Sequence, residues 1–151
     1  MLNWVLGIVA VILAGNALGG LWALLALLLG DRGPWLALLV PLPLTWLLMF
    51  NQHPAGWWRA LLGLGGYLIA LAQASFLIGA AIVAAHLGKG LWPWIFDIGP
   101  EMAFAVSRAR VGWLELACFV GGAALALWMG YGISTRRPKR ATRPARRRQT
   151  G

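Results

Sequence analysis

Few side chains in this chain are of a type that does chemistry, and most of them stand alone. Asn16, Gln73 and Ser75 lie in the middle of long apolar stretches. Hydrocarbon offers no hydrogen-bond partner, so a polar group there must find one within the protein. These three residues are the candidate intramembrane polar contacts, and two readings fit them. One is a pathway for a small solute; the other, favoured, is hydrogen bonding between helices. An ion pump would more plausibly carry a carboxylate at mid-membrane, and none stands there.

The remaining titratable groups do not assemble into a centre. His53 and His86 flank one apolar stretch at opposite ends and cannot share a metal. Cys118 is the only cysteine, which excludes an intramolecular disulfide and two-cysteine redox chemistry. Its expected role is a small apolar filler. There is no paired acid and base, no nucleophile beside a base and no phosphate loop. No catalytic residue, no metal and no cofactor is therefore expected, and the chain is not expected to be an enzyme. No family motif is matched residue by residue.

Glu101, Arg108 and Glu115 are spaced by seven. On a single helix over 100–133 they would share a face, drifting about 20° per step. Seven residues span about 10 Å, too far for direct ion pairs. The stripe reads either as a docking surface for another protein or lipid head groups, or as a solvated face. The solvated face is favoured.

Small residues recur at helical spacing. Gly15 and Gly19 do so in the first apolar stretch, Ala70, Ala74, Ser75 and Gly79 in a later one, and Ala117, Gly121, Gly122, Ala126 and Gly130 in the last. Such stripes let backbones approach where hydrophobicity supplies no drive between helices. Gly15, Gly19, Gly79, Gly121 and Gly122 are thus expected to pack helices. Packing within one bundle is favoured over a homo-oligomer or a partner helix.

The elements that carry these residues follow from hydropathy. Apolar residues make up 60% of the chain and charged ones 11%, against about 45–50% and about 25% in average soluble domains. A chain this short cannot bury that excess in a core of its own, whereas a bilayer tolerates it. Four apolar segments stand out, at about 4–29, 35–50, 61–87 and 111–133. The expected fold is an all-α membrane bundle of four transmembrane helices over 1–133.

The first segment has no basic residue ahead of Gly7, so it reads as a retained helix, not a signal peptide. Trp4 and Trp22 read as interfacial markers on it. The second is short, and Pro41 and Pro43 each remove a backbone donor. A kinked crossing is favoured there over a re-entrant segment. Pro100 and Glu101 read as a helix start, so a surface helix is expected before the last crossing. Trp57, Trp58 and Arg59 read as an interfacial anchor.

The formal net charge is +9, and eight of the 13 basic residues follow Ile133. That distribution is a topology signal, not a nucleic-acid footprint. The segment 134–151 has no large apolar side chain and is expected to be a disordered basic cytoplasmic tail, in contact with anionic lipid head groups. A re-entrant second segment would move the N-terminus outside but leave the tail inside. The expected setting is a bacterial cytoplasmic (inner) membrane, crossed several times, with the C-terminus cytoplasmic. The expected function is a non-enzymatic accessory, assembly or interaction subunit. The alternative is a small oligomeric transporter or channel for a small solute. The bilayer is the expected partner, with a homo-oligomer or another membrane protein as the further ones.

Overall fold

The computed structural model describes residues 2–29, 34–51, 56–88 and 99–132. Expectations that fall on the turn at 31–33, the break at 52–55, the connection at 89–98 and the tail at 134–151 lie outside the described residues. Every described element is an α-helix.

Helix α1 (Leu2–Leu29) is apolar on all sides and carries no charge. Helix α4 (Trp57–His86) has 30 residues, about 45 Å of rod. It begins four residues before the expected Leu61, so the Trp57–Trp58–Arg59 anchor is part of the helix. Helix α6 covers Trp113–Gly132. These three are long and apolar enough to cross a membrane. The chain thus has the length and composition of a membrane protein.

The second apolar segment forms α2 (Leu36–Leu39) and α3 (Pro41–Phe50). Val40 between them keeps helical dihedrals, φ −58° and ψ −40°. The interruption is therefore in hydrogen bonding, as the two prolines require. With Val40 they form one apolar segment, Leu36–Phe50, about 22 Å at 1.5 Å per residue.

Helix α4 is the hub, touching α1, α3, α5 (Pro100–Arg110) and α6. Glycines show the directions. A Cβ on Gly15 would meet the Gly66 carbonyl at 2.8 Å, and one on Gly19 the Ala70 carbonyl at 2.6 Å. Both numbers climb together, so α1 and α4 run parallel. Against the same helix, Leu44 lies beside Gly66 and Leu48 beside Gly63, so α3 runs antiparallel. Helix α6 is antiparallel too, with Gly122 on Tyr67, Ala126 on Gly63 and Gly130 on Ala60.

One expectation is corrected here, and one alternative is decided. Residues 100–132 form two helices, so a separate helix precedes the last span and the single helix that would carry the seven-residue stripe is absent. Val111 takes an extended conformation (φ −69°, ψ 106°) and ends α5, and α6 starts afresh at Trp113. The cause lies in the sequence at the joint. Gly112 carries a helix-entropy cost, and Glu115 turns back to accept a hydrogen bond from the Gly112 N–H. That is half of a capping box, which rewards a new helix start at this point. Trp22 is also not an interfacial residue. It is buried with Leu36, Val40, Leu44 and Tyr67, its ring edge-on to Phe119 at 6.0 Å.

Candidate functional site

The most constrained point in the molecule is the junction of α2, α4 and α6. Tyr67 is fully buried on α4. Its hydroxyl donates to the Phe119 carbonyl of α6 at 3.0 Å. A phenol inside an apolar bundle needs such an acceptor. One turn further on α6, a Cβ on Gly122 would collide with the Tyr67 hydroxyl and lie 2.7 Å from the Ala37 carbonyl. That carbonyl is the one freed by Pro41, which has no N–H to offer four residues later. Pro41 of α3 and the glycine of α6 are thus parts of one contact. Gly121 beside it faces Leu38.

A second polar contact closes the other end of α6. Arg59 is 2% exposed, and its Nε donates to the Gly130 carbonyl at 2.9 Å. Carbonyls in the last turn of a helix lack intrahelical donors and carry the negative end of its dipole. A guanidinium is matched to both. Arg59 is therefore a clamp between α4 and α6, beyond the surface anchor its neighbours suggested.

The residues singled out from the sequence are distributed as follows. Gly15 and Gly19 sit against α4, with the Gln73 side chain leaning on Gly19. Gly79 packs on the Ala103 backbone of α5, in a small cluster with Ala80, Val83, Phe76 and Val106. Gln73 and Ser75 are half-buried on α4. Asn16 is exposed, and its amide donates to the Ile12 carbonyl of its own helix at 2.9 Å. The structure does not bring the three polar residues together. Nor does it assemble the stripe of seven-residue spacing. Glu101 and Arg108 are exposed on α5, while Glu115 caps α6 on the far side of the break.

Tyr67 is not singled out by the sequence reading, and Arg59 is read there only as an interfacial anchor, not as a clamp on the Gly130 carbonyl. A signal existed for Tyr67, the one tyrosine deep in a span, whose hydroxyl has to be satisfied. Arg59 was hidden by its two tryptophan neighbours, which give the same pattern at any interface.

No catalytic geometry emerges around these contacts. His86 is exposed and donates from Nδ1 to the Ile82 carbonyl at 2.8 Å, which closes a local turn. Among the described residues no three of His, Cys, Asp and Glu come together. An open groove between α3 and α6 is lined by Leu42, Pro43, Trp46, Met49 and Met129, all apolar. The arrangement among the described residues can hold helices against one another. Comparison with protein families, curated proteins and solved structures gives no match to this chain.

Proposed function

We propose that this chain is a non-enzymatic accessory or assembly subunit of a bacterial inner membrane, crossing it four times with its C-terminus in the cytoplasm. The observation that carries the reading is the filling of the bundle interior. Close approaches at Gly15, Gly19, Gly122 and Gly130 bring helices together around residues 60–70 of α4, and Gly79 does so further along. Leu44, Leu48, Thr45 and Tyr67 fill the space beside them. A solute path within one bundle would need polar residues to converge there. Asn16 instead is exposed and bonds to the Ile12 carbonyl of its own helix, while Gln73 and Ser75 are half-buried on α4.

The parallel run of α1 and α4 supports the crossing count. Two consecutive long spans can be parallel only if the chain returns between them, and Leu36–Phe50 runs in the return direction. At about 22 Å that return is shorter than a typical hydrocarbon core of about 30 Å. Local thinning of the bilayer accommodates such a mismatch at modest cost. The C-terminal side rests on the basic residues after Ile133.

Reporters active on only one side of the membrane, inserted after residues 31, 54, 95 and 145, test the crossing count. External signals at 31 and 95 with cytoplasmic ones at 54 and 145 are expected. A cytoplasmic signal at 31 would leave three crossings. In-membrane crosslinking of the full-length chain tests the role. A chain that stays strictly monomeric and touches no other protein would overturn it. The runner-up, an oligomeric channel, predicts that Asn16→Leu and Gln73→Leu abolish solute flux while the protein remains as abundant as before.

A further inference from the structure

Asn16 occupies a place that membrane proteins avoid. The first span covers Val5–Leu29, so Asn16 lies within one residue of its centre, about 17 Å from one end and about 20 Å from the other. A side chain of this length cannot reach water from there. Its face is turned outward from the bundle. An amide has two N–H donors and an acceptor oxygen. One N–H is used on Ile12; the oxygen and the second N–H have no partner among the described residues. Polar groups at this depth almost always face protein.

The surface around Asn16 is shaped for close approach. Gly20, one turn further along the same face, has nothing within 4 Å of where a Cβ would stand. It is the counterpart of Gly15 and Gly19, whose neighbouring space is filled by α4. Leu13 and Leu24 flank the pair, with Val9 and Leu27 a turn beyond, and all four are exposed. Their spacing of three and four residues forms one helix face. The face offers side chains that interdigitate, a gap where backbones can meet, and an unfilled hydrogen-bonding amide at the crossing.

We propose that a second copy of this chain occupies this face, α1 against α1, with the two Asn16 amides hydrogen-bonded to each other. The inference rests on the reading of the chain as an interaction subunit and names the surface it uses. The occupant follows from depth and chemistry. Two copies inserted with the same topology and related by a two-fold axis along the membrane normal hold every residue at the same depth as its twin. Asn16 therefore meets Asn16 without any adjustment of register. An amide is self-complementary, since the oxygen of one accepts from the N–H of the other. This is an isologous contact, in which one patch serves both sides.

The test uses the full-length chain carrying Cys118→Ser, reconstituted in phosphatidylcholine vesicles. Single cysteines are placed at Leu13 and Gly20 on the proposed seam, and at Leu21 and Leu68 on other exposed faces. Oxidation should give covalent dimers from L13C and G20C, and far less from L21C and L68C. Asn16→Leu should lower dimer formation, read by energy transfer between labelled copies, about tenfold, the scale of an interhelical amide bond in lipid. Asn16→Gln should retain most of it. Equal crosslinking on all faces would overturn the proposal, as would a dimer fraction indifferent to Asn16→Leu. The cysteine series decides the matter even if Asn16→Leu disturbs folding. If native-membrane crosslinking from Gly20 captures a different protein and never a second copy, this inference falls while the interaction-subunit reading stands. If nothing is captured from any face, both fall.

Discussion

At Gly122 a single hydrogen atom is the difference between contact and collision. A methyl group there meets the Tyr67 hydroxyl and the Ala37 carbonyl together. Gly122→Ala should destabilise the bundle by roughly 1–3 kcal/mol, the usual cost of overpacking. Tyr67→Phe removes the hydroxyl and its bond to Phe119, at roughly 0.6–2 kcal/mol in a membrane interior. The double variant should cost less than the sum, because one of the two obstructions has gone. Unfolding in mixed detergent micelles measures the cycle; strict additivity would show that the hydroxyl is not what Gly122 avoids. Gly65 has nothing within 4 Å, and Gly65→Ala should leave stability unchanged or slightly raised by helix propensity. Arg59 makes the other residue-scale prediction. Arg59→Met leaves the Gly130 carbonyl without its charged donor and should cost roughly 1.5–3 kcal/mol. Arg59→Lys should recover only part of that, since an ammonium lacks the guanidinium's fork. Full recovery by lysine would mean that charge alone suffices.

Two elements differ from a plain reading of hydropathy, and each for a local cause. The second apolar segment divides at Val40, because Pro41 and Pro43 leave carbonyls unbonded. One of those carbonyls faces Gly122, so the irregularity serves a contact with another helix. The apparent helix over 100–133 breaks at Val111–Gly112, and Glu115 caps the new start. Glu115→Ala should fray the first turn of α6. Hydrogen exchange in nanodiscs should show faster exchange at Gly112 and Leu114–Leu116 with the rest of α6 unchanged, matching a lost cap of about 0.5–2 kcal/mol. Exchange unchanged throughout would mean that packing on α4, and not the carboxylate, places the break. Helix α5 is held separately, through Ala103 on Gly79.

At the scale of the whole molecule, α4 organises everything. Helices α1, α3, α5 and α6 all rest on it, and small residues mark the closest approaches. Orientation in the membrane is a different matter, for which basic residues near span ends are the general determinant. Truncation after Arg137 removes Lys139, Arg140, Arg143, Arg146, Arg147 and Arg148. Arg136 and Arg137 remain beside the last span, where orientation counting is most effective. On the proposed topology, the truncated chain should still place its C-terminus inside, by reporter fusion. Its attraction to anionic vesicles should fall, and that of the full-length chain should weaken with salt, since surface charges are screened beyond about 8 Å at physiological ionic strength. A flipped reporter would show that the distal arginines hold the topology.

Much of this arrangement was legible from composition and spacing alone. Long uncharged stretches can only be helices in lipid, because backbone groups there must be satisfied within the segment. That argument needs no tertiary information, and it located α1, α4 and α6 to within a few residues. Glycine spacing alone does not say which glycines lie at a close approach: Gly15 and Gly19 meet α4, whereas Gly20 and Gly65 have nothing within 4 Å of a Cβ. What the sequence could not convey was which surface meets which. Helix α1 is apolar all round, so no periodicity distinguishes the face with Gly15 and Gly19 from the face with Asn16 and Gly20. Only the packed structure turns the first toward α4 and leaves the second bare. The same holds for Trp22, which looks like an interface residue by type but is buried by its neighbours, and for Tyr67 and Arg59. Their partners are the carbonyls of Phe119 and Gly130, 52 and 71 residues away. A backbone carbonyl has the same chemistry at every position, so its role as an acceptor is decided by the fold that brings it there.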